Sequence, residues 1–280
     1  MSLTSTEIRF LQRLVADRPS TRVGNTTARS MNTNFSLGLS TGRNIEYGEQ
    51  DWLRAEQLLR SHDIPTSKME EGAGRIELAA YGGVSEKSFS QAPHANSVAI
   101  RCMGHCELDG LELYTPEGCY LALTMEAAAR IQCDRLIVVE NLESFRRLER
   151  YAWLSPEGSN VLVVYRGDTI FNGRDAQALV LGRSEPIWAF FDFDPQGLML
   201  ANALPHDRLE KILVPDLDVL AGLCDTVRGR ELFHDQVGGS QTQLDASQHP
   251  AVVPLWVLMK RLRSGATQER MASTGTEENN

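Results

Sequence analysis

The feature that most constrains this chain is an alternation between residues 124 and 223. Four short apolar runs, at 136–139, 161–165, 187–191 and 211–214, are separated by segments of helical composition at 142–151, 174–181 and 196–203. A further helical segment at 125–131 precedes the first run, and another begins at Asp218. Runs without a polar interruption are strands buried on both faces. Strands of that kind, each followed by a helix, define a parallel sheet sandwiched between helices. The expected fold class is therefore α/β, with a Rossmann-like parallel sheet of about four strands. The chain has 280 residues, 42% of them hydrophobic, which is enough for a sizeable core.

In such a sheet chemistry sits beyond the carboxyl ends of the strands. There the sequence reads Val139-Glu140-Asn141, then Arg166-Gly167-Asp168, then Asp192-Phe193-Asp194-Pro195-Gln196-Gly197, then Pro215-Asp216. Each strand ends in at least one acid. Asp168 and Asp216 fit solvated turn formers, with a supporting role at the site as the alternative. Glu140, Asp192 and Asp194 are the candidate functional set, because gathered carboxylates repel one another and call for a cation. An oxygen-only donor set suits Mg²⁺ or Mn²⁺, and the matching chemistry is phosphoryl transfer or phosphodiester hydrolysis. Glu143 lies almost one helical turn after Glu140. Gly197 follows the Asp-x-Asp pair closely enough to support it.

The rest of the chain is less informative. Residues 1–75 read as a helical, winged-helix-like region. Thr4-x-x-Glu7 is a capping box, Ile8, Leu11, Leu14 and Val15 share one face, and a second helix spans 49–61. Between them, Arg18, Arg22, Arg29 and Arg43 occur without an acid from 18 to 45, a candidate DNA-binding stretch. The equal alternative is an ordinary helical cap with a solvated loop. Short strands at 75–81, 97–101 and 111–114 make 76–132 a connecting sheet or a wing. A helix is expected at 252–263, extended to 271, ahead of a polar tail, within a C-terminal segment at 241–280. The five Cys suit free thiols in a reducing, cytoplasmic compartment. Cys102, Cys106, Cys119 and Cys133 lack the two close pairs of a structural zinc site. No run is long enough for a membrane helix, and the N-terminus has no secretory pattern.

Glu140 in Ile137-Val-Val-Glu-Asn141, with Asp192-Phe-Asp194 two strands later, resembles the Toprim domain, a metal-binding module of topoisomerases, primases and nucleases. The resemblance covers 133–225, and a Toprim catalytic domain is expected over 133–240. Asp194-Pro195-x-Gly197 is similar to the topoisomerase VI A branch. Val138-Val-Glu-Asn-Leu-Glu-Ser-Phe145 is similar to the nuclease subunit of Wadjet and MksBEF-type condensin systems, which restrict plasmids. The resemblance implies a metal-dependent DNA endonuclease in which Asp192 and Asp194 hold Mg²⁺ and Glu140 binds a second ion or moves protons. It also implies double-stranded plasmid DNA as substrate, an SMC/condensin-like partner complex, a homodimer and association with the nucleoid. Asn141 stands where many Toprims have Gly. Tyr47 and Tyr81 lack a recognisable nucleophile context, which favours hydrolysis over a tyrosyl intermediate.

Two other readings use the same residues. One is a catalytically inactive Toprim subunit that bridges DNA or scaffolds a complex. The other is a haloacid-dehalogenase-type phosphatase, because Phe191-Asp-Phe-Asp194 also looks like its nucleophile strand. The net charge of −9 excludes coating of nucleic acid by bulk charge. The charge is uneven, though: residues 1–45 hold six Arg against two acids, and residues 134–218 hold fourteen acids against nine bases.

Overall fold

A computed structural model describes residues 3–67, 94–154 and 158–272. The expected strand at 75–81 and the polar tail from 273 lie outside the described residues. The chain divides into two compact units, Met1–Pro93 and His94–Asn280.

The N-terminal unit runs α1 (Ser5–Asp17), β1 (Thr21–Val23), α2 (Thr26–Phe35), β2 (Leu39–Thr41), β3 (Asn44–Glu46), α3 (Glu49–Ser61). Its three strands form an antiparallel sheet in the order β1-β3-β2. The Thr4–Glu7 capping box opens α1, and Arg18 in the left-handed region closes it. Ile8, Leu11 and Leu14 pack with Met31, Ile45 and Leu59 in a small core of its own. This region is thus not purely helical. The polar segment from Arg22 to Ile45 holds α2, β2 and most of β1 and β3 rather than a solvated loop. The signal was weak because α2 buries only Ala28 and Met31 and is otherwise built of Thr, Ser, Asn and Arg. A single helix separates β1 from β2.

In the C-terminal unit, β4 (Ser97–Met103), β5 (Cys106–Leu108), β6 (Leu111–Leu113) and β7 (Leu121–Thr124) come first. Then α4 (Met125–Ala129), β8 (Arg135–Val139), α5 (Leu142–Arg146), β9 (Val161–Tyr165), α6 (Gly173–Gly182), β10 (Ile187–Phe190), α7 (Pro195–Asn202) and β11 (Leu209–Ile212) alternate. Helices α8 (Leu217–Cys224), α9 (Val227–Ala246), α10 (Val253–Leu262) and α11 (Gln268–Met271) follow. The main sheet is six-stranded, in the order β11-β10-β8-β9-β4-β7. Strands β11, β10, β8 and β9 are parallel, and β4 and β7 extend the sheet in antiparallel pairs. The sheet is therefore mixed, and the expected parallel block is its larger part. Within the range 76–132, β4 and β7 belong to the main sheet, whereas β5 and β6 pair as a separate two-stranded antiparallel sheet.

Two boundaries also move. Helix α9 runs straight through residue 240, so no break divides 133–240 from 241–280. Arg263 in the left-handed region stops α10, so the 252–263 helix does not extend to 271. Residues 264–267 instead run back to the strand ends, where Phe193 and Ala266 exchange both backbone hydrogen bonds at 2.9 Å.

The order of the parallel strands fixes where a site can form. The chain leaves β8 for β9 on one side, then returns to β10 on the other. Right-handed crossovers put α5 on one face of the sheet and α6 and α7 on the opposite face. The gap beyond the carboxyl ends of β8 and β10 is a topological switch point, where open α/β sheets bind ligands.

Candidate functional site

Glu140 follows β8 and Asp192 follows β10, so the switch point brings two of the expected acids together. The Asp192 backbone N–H donates to Glu140 Oε2 at 3.3 Å. Arg166, just past β9, places Nη2 3.6 Å from Glu140 Oε1. Both acids line an open concavity of about 500 Å³ with Asn141, Leu142, Glu143, Arg146 and Tyr165.

Burial, more than mutual repulsion, dominates the electrostatics. It pushes the Glu140 carboxyl above the usual range against the opposing pull of Arg166. It pushes Asp192 up to about 7, with Glu140, Asp194 and Glu269 adding to the rise and the Gln268 N–H opposing it. Burial also drives the Tyr165 hydroxyl up to about 12, helped by Asp168, so that this group stays protonated at the rim. Asp192 and Glu140 are thus held ready for a positive charge, which Arg166 supplies in part beside Glu140.

Asp194 has a different place. It is 4% exposed and caps α7, its Oδ1 accepting from the Gly197 N–H at 2.7 Å. Its Oδ2 accepts from Gln236 Nε2 at 2.9 Å. Among the described residues no three His, Cys, Asp or Glu side chains converge on a point that could hold a metal ion. Magnesium, however, is commonly held by one or two carboxylates together with substrate phosphate and water. Glu140 and Asp192 fit that kind of site, because Asp192 Oδ2 has no hydrogen bond to a described residue and the concavity opens on both acids.

Sequence reasoning missed the residues that brace these acids. Gln268, fully buried, donates its N–H to Asp192 Oδ1 at 2.7 Å and its Nε2 to Phe190 O at 2.7 Å. Its Oε1 accepts from the Asn141 N–H at 2.8 Å. One side chain therefore ties the ends of β8 and β10 to α11. Glu269 accepts from Asn141 Nδ2 at 2.6 Å and brings another negative charge close by. No acid-based pattern signals a glutamine. We expect Gln268→Ala to cost about 2–3 kcal/mol, since both β-strand ends lose a buried partner. Chemical denaturation would check this, and a cost near zero would show that the brace is idle.

Glu143 is exposed at the lip of the concavity and pairs with Arg147 at 2.8 Å. Asp168 accepts from Ile170 N–H and Phe171 N–H, which hold its carboxyl below the usual range, and Asp216 caps α8. Neither lines the concavity, in keeping with turn formation.

In the N-terminal unit, Arg22 pairs with Asp17 at 3.0 Å and Arg29 donates to Gly24 O and Gly42 O. These two are partly spent on the fold. Arg18 and Arg43 are exposed, the latter at the β2–β3 turn. A groove in this unit is lined by Arg9, Arg13 and Arg22. Tyr47 is buried, with a hydroxyl that has no partner among the described residues, and Tyr81 lies outside them.

All five cysteines are free; Cys102, Cys106 and Cys224 are buried, Cys133 is half-buried and Cys119 is exposed.

These features define a class: an α/β domain with helices on both faces of a mainly parallel sheet, presenting an acidic edge at its switch point. The chain belongs to the family described as a domain of unknown function (DUF7281), whose model matches residues 95–277. No curated protein matches the chain. Among the described residues no helix is long and apolar enough to cross a membrane.

Proposed function

We propose that the chain is a Mg²⁺- or Mn²⁺-dependent DNA endonuclease that hydrolyses phosphodiester bonds at a Toprim-type carboxylate site. One observation carries this reading. Glu140 and Asp192 stand at the carboxyl ends of adjacent parallel strands, joined by a hydrogen bond, over an open concavity at the switch point.

Glu140 and Asp192 would hold the ion, with Asp194 behind them; the ion would offset charge on the phosphate and its leaving oxygen. Arg166 can bind a phosphate oxygen beside Glu140. Glu143 at the lip can accept a proton from water.

In this reading the N-terminal unit is a winged-helix-like DNA-binding part. The hairpin β2–β3 pairs with β1 through β3, as a wing does, and the arginine-lined groove supplies phosphate contacts. The substrate is double-stranded plasmid DNA. Cutting two strands calls for a homodimer, and target choice for an SMC/condensin-like complex near the nucleoid.

The test is plasmid nicking with Mn²⁺. Asp194→Ala is expected to lower the rate at least about 100-fold, because it removes a carboxylate behind the ion and the cap that sets the Asp192–Gly197 loop. Equal cleavage by wild type and variant would overturn the site. A second reading, an inactive DNA-bridging or scaffold subunit, draws support from the engagement of both Asp194 oxygens by Gly197 and Gln236. It predicts DNA binding without nicking in either protein.

A further inference from the structure

A second cavity of about 390 Å³ lies between α6 and α7, and it is not used by the carboxylate site. Its volume is within the roughly 300–1,000 Å³ of small-molecule sites. The walls are apolar: Val138 from the sheet, Val180 from α6, Leu200 and Leu204 around α7, and Phe191. Leu181, which also lines it, is 57% exposed, an unusual position for a leucine unless something covers it. Two cations face this apolar slot. Arg166 and Arg174 both line the cavity, and Arg174 forms no ion pair with any described residue. Asn172 and Gln177 add exposed amides.

An apolar slot with two guanidinium groups and two amides matches a planar heteroaromatic ring joined to a phosphate. The ring fills the slot, amides meet its polar edge, and Arg binds phosphate with paired hydrogen bonds. Arg166 belongs to both places, because it lines the cavity and also lies 3.6 Å from Glu140.

We infer that this cavity holds one unpaired nucleotide of a nucleic-acid strand, with its base between α6 and α7 and its phosphate on Arg166 and Arg174. The inference deepens the nuclease reading and rests on it for the identity of the strand as substrate. It adds that a neighbouring phosphodiester is presented to Glu140 and Asp192. A base inside a duplex cannot enter, so duplex DNA must first expose a nucleotide.

The test uses the full chain in EDTA, a short labelled single-stranded oligonucleotide, and competitors. Free dAMP should compete with the oligonucleotide. Inorganic phosphate at the same concentration should not, and a fully paired duplex with covalently closed ends should compete poorly. Arg174→Ala should weaken oligonucleotide binding about tenfold or more, the loss of a charge-assisted pair. Ala203→Trp, at an exposed position on the rim, should weaken it similarly while leaving the circular dichroism unchanged. Wild-type affinity in a folded Ala203→Trp protein would overturn the inference. So would equal competition by the closed duplex, or dAMP binding without strand binding. The two readings fail separately. Cavity-dependent binding without Mn²⁺-dependent nicking removes the nuclease reading alone. Nicking that is indifferent to Ala203→Trp removes the cavity's role alone.

Discussion

Asp192→Asn is expected to abolish Mn²⁺-dependent nicking and at the same time to make the metal-free protein more stable. The reason is the cost of ionising Asp192 where it stands. Its carboxyl titrates near 3.8 in an ordinary setting and is pushed up to about 7 by burial, with Glu140, Asp194 and Glu269 adding to the shift. A group whose pKa rises on folding binds more protons in the folded chain. Its contribution is full below about pH 4 and is lost as pH climbs toward 7. At pH 8 the metal-free protein therefore carries an uncompensated charge worth about 2–4 kcal/mol. Asparagine keeps the acceptor for the Gln268 N–H and removes that charge. Thermal unfolding at pH 8 should show the variant about 5–10 °C above wild type, with the gap narrowing as pH falls below about 7 and closing near pH 4. Three of the four tryptophans, Trp153, Trp188 and Trp256, lie in the C-terminal unit, so fluorescence follows the relevant transition. Mn²⁺ should narrow the gap at pH 8 by stabilising wild type alone. A wild type more stable than the variant at pH 8 without metal would overturn this account, because it would make Asp192 a structural anchor.

Much of this arrangement is legible in the sequence, for reasons that differ from element to element. The runs at 161–165 and 187–191 became β9 and β10 almost residue for residue, because a strand buried on both faces leaves no polar gaps. The run at 211–214 became β11 two residues earlier, since this edge strand exposes Glu210 and Lys211 and loses its apolar signature. Helix α9 went unseen. It carries Gly229, Gly238 and Gly239 and buries only Gly229, Leu232, Phe233, Ser240 and Leu244, so no continuous apolar stripe marks it. A usable signal was there: Thr226 suits an N-cap, and no proline occurs between Pro215 and Pro250.

The miss matters for the site, because α9 delivers Gln236 to Asp194. Glu140 and Asp192 were legible because acids at strand ends are unusual in themselves. Gln236 and Gln268 were not, because their roles come from long-range folding, 42 and 76 residues away from the aspartates they hold.

Gly197→Ala is expected to disrupt the loop that shapes the site as thoroughly as removal of an acid. The cause is steric. A Cβ at Gly197 would lie 2.0 Å from the Asp192 carbonyl oxygen and 3.0 Å from its carbonyl carbon, both backbone atoms that no rotamer change can move aside. The close approach follows from the cap. The Gly197 N–H must reach Asp194 Oδ1 at 2.7 Å, and this folds the first turn of α7 back over residue 192. The loop is held from the other side as well. A Cβ at Gly265 would lie 2.5 Å from the Phe193 carbonyl oxygen, where residues 193 and 266 pair. The segment that carries both aspartates is thus pressed between two glycines, and any added methyl group must displace it. We expect Gly197→Ala to cost about 3 kcal/mol or more and to lose Mn²⁺-dependent nicking even where the protein still folds. Gly222→Ala serves as the control, since nothing lies within 4 Å of a Cβ there and it sits inside helix α8. It should be neutral or stabilising by up to about 1 kcal/mol. Urea unfolding of both variants separates the cases. Equal stability would mean that the loop relaxes freely, and the geometry argued for Asp192 and Asp194 would then have no steric support.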